Sequence, residues 1–201
     1  IMSATGGKAE RVTTHSFNEY PAGWLGNDTL LIRRAGNPTV SELTFPGSTF
    51  TRLYKVAKNG GRQTLFSAIS MDHLSMASDG RILYNNVKGY EDPWRKHHTS
   101  SIARDIYMKE DGAYKRMTTF AGEDRNPVWA PDGKGYYYLS EKDGTFNVYH
   151  STLGGVSSQL NSFKGNPVRY LSISYNGLLP FANDGELYTM HQGSQPSKLN
   201  I

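Results

Sequence analysis

The segment Glu123-Asp124-Arg125-Asn126-Pro127-Val128-Trp129-Ala130-Pro131-Asp132-Gly133-Lys134 opens the unit whose reading decides the fold. Val128 to Ala130 is a short strand. Pro131-Asp132-Gly133 is a turn with a mechanism: proline presets φ, aspartate bonds nearby backbone, and glycine accepts positive φ. Tyr136 to Leu139 is aromatic and suits a pleated surface, and Glu141-Lys142-Asp143-Gly144 turns the chain again. Thr145 to His150 is a third strand, Thr152-Leu153-Gly154-Gly155 a third turn, and Val156 to Leu160 a fourth strand. Four antiparallel strands in about 40 residues make one blade of a β-propeller.

The unit recurs. The third-strand pair Val148-Tyr149 has counterparts in Leu53-Tyr54, Ile106-Tyr107 and Leu187-Tyr188. First-turn counterparts are Gly26-Asn27-Asp28, Ser78-Asp79-Gly80 and Tyr175-Asn176-Gly177. Third-turn counterparts are Lys58-Asn59-Gly60-Gly61, Glu110-Asp111-Gly112 and Gln192-Gly193-Ser194. Weak signals in constant order add up where a lone Asp-Gly would not. Residues 1–13 align with 53–65 and with 106–118, so the chain is expected to open inside a blade. The expected class is all-β, a β-propeller fragment of four-stranded antiparallel blades, about four whole and one half. The half-blade covers 1–13 and the blades about 20–66, 67–120, 121–163 and 164–201. Four and a half blades close poorly, and open sheet edges are hazardous. The chain is therefore expected to be part of a longer one with a six- or seven-bladed ring.

Bulk properties set bounds. Glycine and tyrosine are abundant, as many short strands and turns require. There are no cysteines, which excludes disulfide frameworks and cysteine-type zinc sites. No run of 18 apolar residues spans a membrane. A periplasmic or secreted setting is favoured slightly over a cytoplasmic one. The net charge of +4 comes from basic residues scattered through turns, not from a stripe interleaved with aromatics, so no nucleic-acid partner is expected.

Two connections between second and third strands are long: 35–51, with Asn37-Pro38 and Phe45-Pro46-Gly47, and 89–101. The second is the densest polar patch in the chain, containing Glu91, Asp92, Trp94, Arg95, Lys96, His97 and His98. Adjacent histidines on an extended segment point to opposite faces, so His97 and His98 make a poor metal pair, and no metal or other cofactor is expected. No serine lies in a Gly-x-Ser-x-Gly elbow, and no catalytic residue is assigned. The candidate contacts for a peptide or protein partner are Trp94, Arg95, His97 and His98, together with Glu123, Asp124 and Arg125 ahead of a first strand. The plainer reading of the last three is an ion pair between blades. Trp24 and Trp129, at matching first-strand positions, are expected in the core between blades. Pro180 in a second strand removes a ladder donor and points to an edge or bulge.

The run 126–134, with Asp143-Gly144 and Asn147-Val148-Tyr149, resembles the WD-like repeat of TolB-type propellers. Three further details resemble the propeller of Tricorn-like proteases in the C-terminal-processing serine peptidase group. They are 94–101 before Arg104-Asp105-Ile106-Tyr107, the run 122–127, and Tyr138-Leu139-Ser140 before Gly144-Thr145-Phe146-Asn147. The likeness implies a non-catalytic propeller that binds or gates peptides. The PDZ-like and peptidase modules of its parent chain would be its partners and would carry the catalytic groups. The alternatives are a TolB-type partner-binding propeller with no protease attached, and a propeller enzyme such as a lyase with a channel-bound metal.

Overall fold

A computed structural model describes residues 1–16, 18–35, 50–90, 92, 94, 95, 97 and 99–200. The connection around Asn37-Pro38 and Phe45-Pro46-Gly47 therefore lies outside the described residues, as do Glu91, Pro93, Lys96 and the candidate His98. Among the described residues there is no helix. The chain is a partial β-propeller built of antiparallel sheets in which strands consecutive in sequence are neighbours. It divides into two compact units, 1–71 and 72–201.

Within the first unit, β1 (Glu19–Leu25), β2 (Thr29–Arg34), β3 (Arg52–Ala57) and β4 (Thr64–Ser67) form one sheet in that order. Leu31, Ile32, Leu53, Tyr54 and Val56 are its buried hydrophobic residues. Arg34 is buried with them. Its guanidinium donates to Gln63 Oε1 at 2.8 Å and to the Ala35 carbonyl at 2.9 Å, and lies over the Tyr54 ring at 3.6 Å. A buried charge needs such partners to be tolerated. Residues 1–10 fold back on themselves, with Glu10 N donating to the Ile1 carbonyl at 2.8 Å. Trp24 departs from expectation: it is 44 % exposed, whereas Trp129 is 5 % exposed. A bulge between Pro21 and Gly23 shifts the register just before Trp24.

The second unit contains three sheets. The first is β5 (Met71–Met76), β6 (Ile82–Asn86), β7 (Ile106–Glu110) and β8 (Ala113–Arg116). The second is β9 (Asp124–Trp129), β10 (Gly135–Ser140), β11 (Asn147–Thr152) and β12 (Ser157–Gln159). The third is β13 (Leu179–Asn183), β14 (Glu186–Met190) and β15 (Ser197–Lys198). The place of a first strand in this last sheet is held by 169–174. That stretch makes a bridge between Arg169 and Ala182, and Ser172 N donates to the Pro180 carbonyl at 3.1 Å. Pro180 offers no N–H back, so the pairing on its side stays broken while Pro180 remains paired with Thr189 across the sheet.

The first turn is one device used three times. Ala130 N donates to Gly135 O and Gly133 N to Ala130 O. The same two bonds recur at Ala77, Arg81 and Gly80, and at Ser174, Leu178 and Gly177. Asp132 Oδ1 accepts from Lys134 N at 3.0 Å, as Asp79 Oδ1 does from Arg81 N at 3.1 Å. Gly133 takes φ 66°, a conformation that glycine adopts without penalty. Counting back from these turns, His73, Asn126 and Tyr170 occupy one shared position, and each sits in the left-handed region at φ 47°, 53° and 57°. In β9 this kink lets Asp124 and Arg125 resume pairing with Ser140 and Leu139, so the strand starts four residues before the expected Val128.

All six residues of β10 are buried. One face packs Tyr136 and Tyr138 with Trp129, Tyr149, Leu83 and Ile106. The other packs Tyr137 and Leu139 with Phe146, Val148, Leu179 and Phe181. The sheet before and the sheet after thus cover it on either side. Leu139→Ala is expected to lower unfolding free energy by about 2–5 kcal/mol in urea titration. Val156→Ala, at a side chain 74 % exposed, should stay within about 0.5 kcal/mol.

Candidate functional site

Residues 123–125 alternate in direction where the chain enters β9, as extended backbone requires. All three are buried, at 3 %, 2 % and 4 % exposure. Glu123 and Arg125 lie on the same side, with Arg125 Nη1 at 3.6 Å from Glu123 Oε1. The Arg125 guanidinium lies over the Phe146 ring at 3.9 Å. Burial pulls the Arg125 pKa below its ordinary value, the Glu123 charge pulls it back up, and the nearby charges of Arg169 and Arg104 lower it further. Asp124 faces the opposite side of the strand, into a separate cleft lined with hydroxyl groups.

Glu141 organises this region, and nothing in the sequence marked it. In Glu141-Lys142-Asp143-Gly144 it reads as an ordinary turn residue, yet it is 5 % exposed. One carboxylate oxygen accepts from His97 N at 2.7 Å and the other from Glu123 N at 3.4 Å. The long connection of one sheet is thereby tied to the start of the next sheet's first strand. His97 sits at φ 53° at this contact, so the candidate histidine contributes its backbone. Asn85, fully buried, makes a parallel link: its amide donates to Asp124 O at 2.8 Å and its carbonyl accepts from Asn126 N at 2.9 Å.

Ahead of His97, Asp92 Oδ1 accepts from Trp94 N at 2.9 Å, and Arg95 N donates to the Asp92 carbonyl at 3.1 Å. This small turn presents Trp94, which is 62 % exposed. The Arg169 guanidinium lies over its ring at 4.3 Å. The two border an open groove of about 390 Å³ with Pro167, Tyr170, Asn166 and Asp184. Tyr170 is 67 % exposed. Asn166 Nδ2 donates to Asp184 Oδ1 at 2.7 Å, which fixes the far wall. The groove thus offers two exposed aromatic faces and a cation.

The candidates therefore separate. Trp94 is accessible at the groove and His97 is in the clamp beneath it. Glu123 and Arg125 form a buried support, and Asp124 belongs to another cleft. Arg95 adjoins Trp94 in the turn, and His98 lies outside the described residues. Arg169 and Tyr170 escaped the sequence reading, although Arg169 falls at the position of Arg125 when residues are counted back from Gly177 and Gly133. Among the described residues, no group of three or more His, Asp or Glu side chains is placed to hold a metal ion.

A family model described as the Tricorn protease N-terminal beta propeller domain matches residues 1–196. Among solved structures, the tricorn protease superposes with a TM-score of 0.72 at 22 % identity, over 91 % of this chain and 17 % of that one. A protein assigned as TolB from Agrobacterium tumefaciens gives 0.63 at 16 % identity, over 86 % of this chain and 61 % of that one. TolB from Acinetobacter baumannii gives 0.59 at 18 % identity, over 86 % and 40 %. At these identities the superpositions speak for the fold alone. No curated protein sequence matches.

Burial pushes the Asp124 carboxyl up to about 6, against the pull of the Ser140 and Thr118 hydroxyls and the Lys142 charge. The unfolded chain gives up this proton near the model-peptide value of 3.8, while the native protein keeps it to higher pH. Stability contributed here is therefore full below about pH 4 and is lost as pH rises through 6. Asp124→Asn should remove that loss. Its unfolding free energy relative to the parent is expected to rise by about 2 kcal/mol between pH 4 and pH 7.5 in paired urea titrations.

Proposed function

This chain belongs to the family of Tricorn protease N-terminal β-propeller domains, and from that membership we propose that it binds peptides and gates their passage to or from a serine peptidase, with no catalytic group of its own. The chain spans 17 % of the tricorn protease chain it superposes on. The peptidase and any PDZ-like module would be further parts of the parent protein.

The observation that supports this most directly is the Trp94–Arg169 stack at the mouth of an open groove. An extended peptide exposes carbonyl groups, which an arginine can bond, and side chains that pack on aromatic rings. Such a surface works only if it is held still, since ordering it on binding costs affinity. The Glu141 bonds to His97 and Glu123 supply that rigidity from below. The groove is polar at one wall and aromatic at the other, which suits sorting by side-chain character more than by one fixed sequence.

Trp94→Ala is expected to weaken binding of fluorescently labelled unfolded peptides by about tenfold, or ~1.4 kcal/mol. The unfolding midpoint should stay unchanged, because the ring is largely exposed. Fluorescence anisotropy on the intact protein reads the first and thermal unfolding the second. Unchanged peptide affinity would remove the groove from the proposal. Binding of a folded protein but of no unfolded peptide would favour a TolB-type partner-binding propeller instead. A parent reading frame without a peptidase module would do the same.

A further inference from the structure

The cleft on the Asp124 side of β9 holds a different chemistry. It lies where residues 117–120, after β8, pass the sheet formed by β9 to β12, and its volume is about 260 Å³. One water needs only ~10–15 Å³, and drug-sized ligands take ~300 Å³ or more, so the space suits a small metabolite. Asp124 lines it at 2 % exposure, and its Oδ1 has no hydrogen-bond partner. The walls carry hydroxyls from Thr118, Tyr136, Tyr138 and Ser157. Burial raises the pKa of both tyrosines, so they remain protonated donors. At the exposed rim stands Lys142, whose Nζ donates to Ser157 Oγ at 3.0 Å and lies 4.2 Å from the centroid of the Tyr149 ring.

A carboxylate oxygen without a partner is an expensive thing to bury. Here the residue that carries it lines a space that a ligand can enter. A bare cation drawn to Asp124 meets the like charge of Lys142, and a bare anion drawn to Lys142 meets Asp124. A molecule carrying both charges answers both groups at once. We propose that this cleft binds a free α-amino acid with a small side chain, its ammonium group on Asp124 Oδ1 and its carboxylate on Lys142 Nζ. The wall hydroxyls then supply the remaining donors and acceptors for the two charged ends. The proposal is independent of the peptide reading, because no lining residue of this cleft borders the Trp94 groove.

The test is isothermal titration calorimetry of the purified protein with L-alanine, N-acetyl-L-alanine and L-alaninamide at neutral pH. L-Alanine is expected to bind, with acetylation or amidation each weakening binding at least tenfold. Asp124→Asn should abolish the advantage of alanine over its acetyl derivative. Lys142→Met should abolish its advantage over the amide. Trp94→Ala should leave alanine binding unchanged, which separates this site from the groove. Absence of alanine binding at millimolar concentration overturns the proposal. So does equal binding of alanine and N-acetylalanine to the unmodified protein, a result that stands even if a variant fails to fold.

Discussion

Strand β10 is buried on both faces, and that double cover is the constraint on which the rest of the second unit depends. A four-stranded sheet has two faces and too few residues to hide either by itself. Tyr136 and Tyr138 require the preceding sheet, and Tyr137 and Leu139 require the following one. The alternation of side chains along a strand converts a single aromatic run into two separate cores. Tilted ring pairs such as Tyr138 with Tyr149 at 5.7 Å, and Phe163 edge-on to Tyr188 at 5.1 Å, pack each core with preferred aromatic geometry. Hydroxyls at the edges of the β10 rings reach polar neighbours, Tyr137 donating to Gln192 Oε1 at 2.8 Å and Tyr136 to the Met117 carbonyl at 3.5 Å.

Apolar cover holds sheets together without setting their relative register. Buried polar side chains supply that. Asn85 bonds the backbone of its own sheet at Asp105 and of the next sheet at Asp124 and Asn126. Trp129 repeats the idea from the other direction, its backbone N and its indole N–H both donating to Ser75. Each such group is costly if left alone, and so penalises every packing in which its partner is displaced. The Glu141 carboxylate extends the same principle to the loops. Hydrophobic contact and polar linkage are thus complementary: one supplies the driving force and the other selects a single arrangement.

The fold was legible because its signals are local and repeated. Pro131-Asp132-Gly133 dictates a turn through φ preferences and an aspartate bond, and the same turn reappears at Asp79-Gly80 and Asn176-Gly177. What could not be read is long-range. Glu141 is just a turn residue until the chain folds His97 onto it. Asp124 and Arg125 are neighbours in a charged run, and only the pleat sends one to a hydroxyl-lined cleft and the other onto Phe146. The expected equivalence of Trp24 and Trp129 failed for a related reason: Trp129 is covered by Ser75 and Arg81 of the neighbouring sheet, partners far away in sequence, whereas Trp24 is 44 % exposed. The run 123–125 stands out in the sequence as three charged residues that are candidate partner contacts, while the division of labour within it belongs to tertiary structure.

His73, Asn126 and Tyr170 share one backbone conformation at one repeat position, although their side chains have little in common. Their kinks are fixed by the strand pairing around them, and the substituent at each is open to choice. Asn126 already reaches the His73 ring at 3.1 Å, while Tyr170 opens onto the groove beside Trp94. A duplicated scaffold of this kind separates inheritance of shape from inheritance of chemistry. Successive copies can acquire an imidazole, an amide or a phenol at the same geometric station, and new specificity can arise by exchanging single residues without redesigning the sheet that carries them.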